Sequence, residues 1–367
     1  MEIAHKNILD LTCNQLKELV GSLGQPAYRA DQIAWWVYKK LATSFEEMTD
    51  LPQSFRRKLA EVASLSSLMP IDEKISGDRQ TRKVLFRLDD GRTIESSLML
   101  YEKTGSSRER RTVCVSTQVG CPVGCLFCAT GQQGFERNLR PGEIIEQVLY
   151  VMRLVSGEQV GGDATADSAR RPVTNVVFMG MGEPLANYEA VWQAVEMLNS
   201  RRGLGLGARQ ITISTVGLVP QIKRLAEESI HVELAISLHA ANDALRNKLV
   251  PINKKYPLSQ LIPACREYFK RTGRRPTFEY ALFQGVNDSA EHARELARLL
   301  EDMNCQVNLI AGNPSACKEF APSPMKKVLT FQKILKDSGV SSTVRVSKGV
   351  DIEAGCGQLR SRLARAR

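Results

Sequence analysis

Three cysteines crowd into eight residues in Cys121-Pro-Val-Gly-Cys125-Leu-Phe-Cys128, a C-x3-C-x2-C spacing. Thiolates so spaced can hold three irons of a 4Fe-4S cubane and leave the fourth without a protein ligand. That open iron can bind the amino and carboxylate groups of S-adenosylmethionine (SAM). An electron passed into the sulfonium then breaks a carbon–sulfur bond and releases a 5'-deoxyadenosyl radical. The cofactors supply the difficult chemistry while the protein positions and shields it. The competing reading is structural zinc, which takes four ligands in paired Cys and His spacings. The histidines, His5, His231, His239 and His292, complete no such pattern. Phe127 fits the cluster reading and would equally suit the core, the commoner place for phenylalanine.

The cysteines need a scaffold that brings loops together. Beyond residue 110, short β-branched or apolar runs at 112–116, 175–179, 210–214, 232–237, 277–282, 307–310 and 343–346 alternate with longer amphipathic stretches. This is the pattern of βα units around a parallel sheet. Six or seven such units are too few for a closed eightfold barrel, so the expected fold is α/β, a partial, open β/α barrel. Its active site belongs at the C-terminal ends of the strands. Ahead of it, the stretch from Leu11 to Ala63 has helical periodicity, with Leu16, Leu19, Val20 and Leu23 on one face and Ile33, Trp36, Val37 and Leu41 on another. Residues 83–88 and 93–100 alternate and flank Asp89-Asp90-Gly91, a hairpin signal. The expected division is a helical and β-ribbon module at 1–100, the barrel core at 101–346, and a C-terminal loop and basic tail at 347–367. Residues 156–171 lose the periodic pattern and are expected to form a mobile surface insertion.

The chain has 367 residues, 43% of them hydrophobic and 25% charged, enough to bury a full core. Its formal net charge of +10 favours a polyanionic partner, although charge alone leaves a merely basic, soluble protein equally open. Arg360, Arg362, Arg365 and Arg367 make the tail basic, and a solvated terminus would look the same. Nine cysteines, an odd number, suit a reducing compartment better than a disulfide framework. No secretory profile opens the chain and no apolar run reaches the roughly 20 residues of a membrane helix. A cytoplasmic location without membrane attachment is therefore expected.

Six further motifs follow in order: Cys128-Ala-Thr-Gly131, Met179-Gly-Met-Gly-Glu-Pro-Leu-Ala-Asn187, Ile213-Ser-Thr-Val-Gly217, Ser237-Leu-His239, Gly285-Val-Asn-Asp288 and Asp351-Ile-Glu-Ala-Gly-Cys-Gly-Gln-Leu359. With the cysteine cluster, they make the chain resemble the adenine carbon-2 RNA methyltransferase family (RlmN) of the radical SAM superfamily, from about Tyr28 to Leu359. The resemblance implies one 4Fe-4S cluster per chain on Cys121, Cys125 and Cys128, and two SAM consumed per turnover. It implies that Gly182, Glu183, Ser214, Ser237, Leu238, His239 and Asn313 contact SAM. Read alone, Gly182 could form a turn, Ser214 cap a helix and Asn313 shape a loop.

An aromatic C–H carbon is not nucleophilic and cannot take a methyl group by simple displacement. In the family's mechanism one SAM methylates a cysteine, here Cys356. A second yields the radical, which takes hydrogen from that S-methyl group, and the methylene radical adds to the adenine. Cys114 matches the partner that resolves the protein–RNA adduct through a disulfide with Cys356, and Glu95 matches the proton acceptor. A buried strand cysteine and an exposed hairpin glutamate are the plain alternatives for Cys114 and Glu95. Cys13, Cys265, Cys305 and Cys317 carry no motif and read as structural.

The implied partners are 23S rRNA and also tRNA, with an electron donor such as flavodoxin or ferredoxin, for a monomeric enzyme. Such an adenine must leave its stack to reach a buried radical. The N-terminal module and Arg108, Arg110 and Arg111 are expected RNA contacts, on charge alone. The chain departs from the family pattern in the looser segment Ile310-Ala-Gly-Asn-Pro-Ser-Ala-Cys317, in Lys348 for a usual arginine and in Gly355 for a usual alanine. Two rivals remain: a Cfr-type carbon-8 methyltransferase, disfavoured by Pro184 after Gly182-Glu183, and a non-catalytic iron–sulfur RNA-binding protein.

Overall fold

The computed structural model describes residues 5–102, 109–160, 172–313 and 320–360, without the side chains of residues 158–160. Its centre is a ten-stranded sheet. The strands are β1 (Leu68–Ile75), β2 (Thr81–Leu88), β3 (Thr93–Tyr101), β4 (Arg110–Cys114), β5 (Asn175–Phe178), β6 (Ile211–Thr215), β7 (Glu233–Ser237), β8 (Thr277–Leu282), β9 (Gln306–Ala311) and β10 (Ser342–Arg345). Their spatial order is their chain order, antiparallel from β1 to β4 and parallel from β4 to β10. Among the described residues β1 and β10 remain opposite edges, so the barrel is open.

Alternation along the parallel strands separates core from cavity. Phe178, Ile213, Ile236, Phe278 and Leu309 are fully buried in the main hydrophobic core. Each such side chain contributes about 1.5–3 kcal/mol. Their neighbours Val177, Ser214, Ser237, Glu279 and Asn308 point the other way, into the barrel interior.

The ribbon β1–β3 joins the barrel sheet directly, through antiparallel pairing of β3 with β4. The boundary at residue 100 therefore does not separate two sheets. β1 carries Pro70, Asp72, Glu73 and Lys74 and is mostly exposed, an edge strand with an irregular register near Pro70. Polar and proline content hides it in the sequence. The helices α1 (Cys13–Ser22), α2 (Tyr28–Tyr38) and α3 (Gln53–Val62) share one core through Leu16, Val20, Ile33, Val37, Phe55 and Leu59. Thr12 and Gln15 form a reciprocal capping box that starts α1.

The helix at Pro141–Val160 continues five residues into the segment expected to be an insertion, since Gly157 alone does not break it. Residues 161–171, Arg108, Cys317 and the tail from 361 lie outside the described residues. Among the described residues no helix is long and apolar enough to cross a membrane.

Candidate active site

A cavity of about 480 Å³ occupies the barrel interior, and Cys114, Cys121, Cys125, Cys128 and Cys356 all reach it. The loop bearing Cys121, Cys125 and Cys128 leaves β4 through a short ribbon in which residues 118–120 pair with 135–138. Cys121 N–H donates to Gly134 O at 2.8 Å, and Gln132 Nε2 donates to Cys125 O at 3.1 Å. Burial pushes the Cys121 thiol up to about 12 and Cys125 well above its ordinary range, with the neighbouring cysteines adding to both. Three desolvated thiols around one space suit cations that supply the charge the thiolates lack. Among the described residues no group of three His, Cys, Asp or Glu is arranged to hold a single metal ion.

Beside the cysteines, Gly182 has φ +102°, and a Cβ there would lie 2.6 Å from Gln118 Cβ. Only glycine makes that approach without strain. It lets Gln118 Oε1 accept from Glu183 N–H at 2.8 Å. The buried Glu183 carboxylate accepts from Val216 N–H at 2.9 Å and Leu185 N–H at 3.0 Å. Burial nonetheless pushes its carboxyl up to about 7.

The next two strands supply Ser214 and Ser237, whose hydroxyls stand 3.5 Å apart on the cavity wall. His239 follows in a left-handed conformation, φ +59°, uncommon outside glycine. Its Nδ1 accepts from Ala281 N–H at 3.0 Å, and burial, aided by Arg246, lowers its pKa to about 3. The ring is therefore neutral, with its proton on Nε2. Leu238 is fully buried and outside the cavity lining; only its backbone works here, its N–H bonding Glu279 O at 3.0 Å. In the Gly285-Val-Asn-Asp288 motif, Asn287 Nδ2 braces this turn by donating to His239 O at 2.9 Å.

Sequence reasoning missed Arg246. It is fully buried and donates to Leu238 O, Asn253 Oδ1, Val216 O and Ser237 O at 2.6–3.1 Å, tying the loops after β6 and β7 together. Nothing in its sequence neighbourhood distinguishes it from a surface arginine. Arg246→Met should destabilise the fold by about 3–5 kcal/mol, because it strands buried acceptors. Urea denaturation would register this as a lower midpoint.

Cys356 sits in a loop held from several sides. Asn313 Nδ2 donates to Cys356 O at 2.9 Å, Ala129 N–H to Gly357 O at 2.8 Å and Thr130 Oγ1 to Leu359 O at 2.6 Å. The Cys356 loop is thus fastened to the loop of the cysteine trio. A Cβ at Gly355 would lie 2.7 Å from Gln358 Oε1 and 2.8 Å from Asn313 Nδ2, so the missing methyl leaves room for these amides. Burial, and then Glu279, push the Cys356 thiol up, yet the side chain remains accessible in the cavity. Cys114 stands on β4 opposite Ser97. Burial and Cys356 push its thiol up to about 12.

Glu95 lies beside the cavity and not in its lining. It is buried, with Oε1 3.0 Å from Lys83 Nζ and Oε2 accepting from Arg360 N–H at 2.9 Å. Burial raises its pKa against the lowering pull of Lys83. Among the other basic residues, Arg111 is buried and paired with Glu109 at 3.1 Å. Arg110 and Lys348 both stand 5.0 Å from the Tyr101 ring centre, at the cavity edge.

Comparison with known proteins agrees with this geometry. Residues 6–65 match the Ribosomal RNA large subunit methyltransferase N-terminal domain, and residues 115–300 match the Radical SAM superfamily. A probable dual-specificity RNA methyltransferase RlmN of Roseiflexus sp. (strain RS-1) is 45% identical, over 96% of each chain. Its counterpart in Moorella thermoacetica is 48% identical over 94% of each. The chain belongs to the RlmN family. A crystal structure of a radical SAM methyltransferase from Sphaerobacter thermophilus is 48% identical, with TM-score 0.90, covering 97% of this chain and all of that one.

The open β/α barrel expected from the sequence is therefore the fold of an RlmN-family methyltransferase. As a radical SAM enzyme it works with a 4Fe-4S cluster and SAM. Of the thirteen expected site residues, the structure brings all except Glu95 and Leu238 to the wall of one cavity.

Proposed function

We propose that the chain methylates carbon 2 of adenine in RNA, acting on 23S rRNA and also on tRNA as a cytoplasmic monomer served by a flavodoxin- or ferredoxin-type reductase. The observation that carries this reading is Cys356, its carbonyl held by Asn313 and the next residue, Gly357, held by Ala129, in the cavity that the cysteine trio lines. That placement is what a methyl-carrying thiol beside a radical source requires.

When bound, SAM on the cluster supplies the methyl group and the 5'-deoxyadenosyl radical. Cys121, Cys125 and Cys128 would hold the cluster. Glu183 and Gly182 would receive the amino-acid end of SAM, and Ser214, Ser237, Leu238, His239 and Asn313 would line the rest. The neutral His239 offers Nε2–H as a donor and adds no competing positive charge. Cys356 carries the methyl group, Cys114 resolves the adduct and Glu95 takes the proton from carbon 2. Residues 1–100 would contact RNA, 101–346 form the catalytic core and 347–367 carry the methyl-bearing loop and basic tail. Arg110 remains a candidate RNA contact, while the burial of Arg111 speaks against it.

Glu183 gives a pH prediction. Burial raises its pKa to about 7, so its carboxyl is neutral below that value, and only the carboxylate attracts an ammonium. SAM affinity of the reconstituted protein should weaken as pH falls below that value and level off above it. Glu183→Gln should bind roughly ten- to hundred-fold more weakly, without that pH dependence. Equilibrium dialysis would check both, and a flat parent profile from pH 6 to 8 would remove Glu183 from this role.

The overall reading is tested by nucleoside analysis of RNA treated with the reconstituted enzyme. 2-Methyladenosine is expected; 8-methyladenosine would assign the Cfr-type reaction instead.

A further inference from the structure

Lys83 lies on β2 and is 5% exposed, a burial that lysine rarely reaches unless paired. Leu85 stands opposite Glu95 and Lys83 opposite Ser97, so Lys83 and Glu95 are diagonal neighbours on one face of the ribbon. The ammonium has two partners in different parts of the chain. It meets Glu95 Oε1 at 3.0 Å and donates to Glu353 O at 3.2 Å. Glu353 precedes Cys356 by three residues, and Arg360, whose N–H donates to Glu95 Oε2 at 2.9 Å, follows it by four. Arg360 Nη2 closes the loop on Glu353 at 2.9 Å. Both flanks of the Cys356 loop are thus fastened to the Lys83–Glu95 pair.

We infer that Lys83 is a positioning residue for proton removal from carbon 2 of the adenine: it aims Glu95 and locks it to the loop that carries Cys356. The inference rests on the role proposed above for Glu95. In that step the carbon–hydrogen bond at C2 breaks, its electron pair stays with the base, and the proton passes to the Glu95 carboxylate. Each carboxylate oxygen keeps a lone pair beyond its present bond. With Oε1 anchored by Lys83, a small shift of the Arg360 amide leaves Oε2 able to accept a proton without freeing the carboxylate.

The charges around Glu95 support this. Burial and Glu353 favour its neutral form, while Lys83 and the Arg360 N–H favour the carboxylate that a base must be. Lys83 is the largest of the opposing influences, so its loss takes away charge and aim together.

The test compares the parent holoenzyme with Lys83→Gln, Lys83→Arg and Glu95→Gln in a single turnover, trapping the covalent protein–RNA adduct by mass spectrometry across a pH range. In Lys83→Gln, adduct resolution should slow about ten-fold or more, and its acid limb should move up by about 1–3 pH units. Lys83→Arg, which keeps the charge, should return the limb toward its parent position. Hydrogen exchange of the 353–360 segment should quicken in Lys83→Gln even without the cluster, a readout independent of activity. If Lys83→Gln folds poorly, Lys83→Met carries the same expectation. Resolution in the neutral variants at the parent rate, with an unmoved acid limb while Glu95→Gln stalls, overturns the role of Lys83 alone. Normal resolution in Glu95→Gln overturns the Glu95 assignment, and that of Lys83 with it.

Discussion

Cys114→Ala is expected to stop the enzyme after one bond-forming event, leaving RNA covalently attached to the protein. Cys114 projects from the end of β4 into the same cavity as Cys356, and Cys356 is among the causes that push its thiol up. A Cys114 thiolate can attack the Cys356 sulfur of the adduct and displace the methylene carbon, which leaves with the carbon–sulfur electron pair as the disulfide forms, and nothing else on the described cavity wall but the cluster cysteines offers a thiol. The cost of ionising Cys114 in this buried place is eased by the Met179 backbone and the Ser97 hydroxyl, which both lower its pKa. The alanine variant keeps the cluster, Cys356 and Glu183, so SAM cleavage and Cys356 methylation should proceed. Multiple-turnover product should fall by roughly a hundred-fold or more, the scale on which loss of one chemical participant registers. A denaturing gel with labelled RNA would show the shifted adduct. Unimpaired turnover without adduct would sink the resolving role.

Cys125→Ser is expected to abolish the chemistry altogether. Cys125 is the most buried of the three cluster cysteines, 8% exposed, and its backbone carbonyl also accepts from Cys128 N–H and Gln132 Nε2. Its side chain has no comparable substitute, because a serine hydroxyl ionises with far more difficulty than a thiol and is a poor ligand for a soft iron–sulfur site. Iron content after anaerobic reconstitution should drop from about four per chain toward background, with no 5'-deoxyadenosine formed. The unloaded parent should also unfold at lower temperature than the loaded one, since a ligand that binds only the folded state stabilises it. Full iron loading with SAM cleavage in Cys125→Ser would move the cluster elsewhere.

The parallel strands are legible in the sequence because each carries a short β-branched or apolar run bounded by glycine, proline or polar residues. Every one of the seven begins and ends within two residues of its expected position. The cysteine trio is legible because its spacing is local. Arg246 and Lys83 are not, because their roles depend on partners distant in sequence: Lys83 meets Glu353, 270 residues away. A buried charged residue has no sequence signature of its own. Glu95 shows a different limit. Its place on a hairpin is readable, but its burial depends on the strap at Arg360, which no local pattern reveals.

The most direct test of the central claim, transfer of the methyl carbon through Cys356 by way of a methylene radical, follows the hydrogen atoms. RNA would be methylated by reconstituted enzyme with SAM whose methyl group is fully deuterated, and the product nucleoside and 5'-deoxyadenosine weighed by mass spectrometry. The expected 2-methyladenosine keeps two of the three deuteriums, and the third appears in 5'-deoxyadenosine. A product methyl group that retains all three, with none in 5'-deoxyadenosine, would mean direct transfer and contradict the role of Cys356.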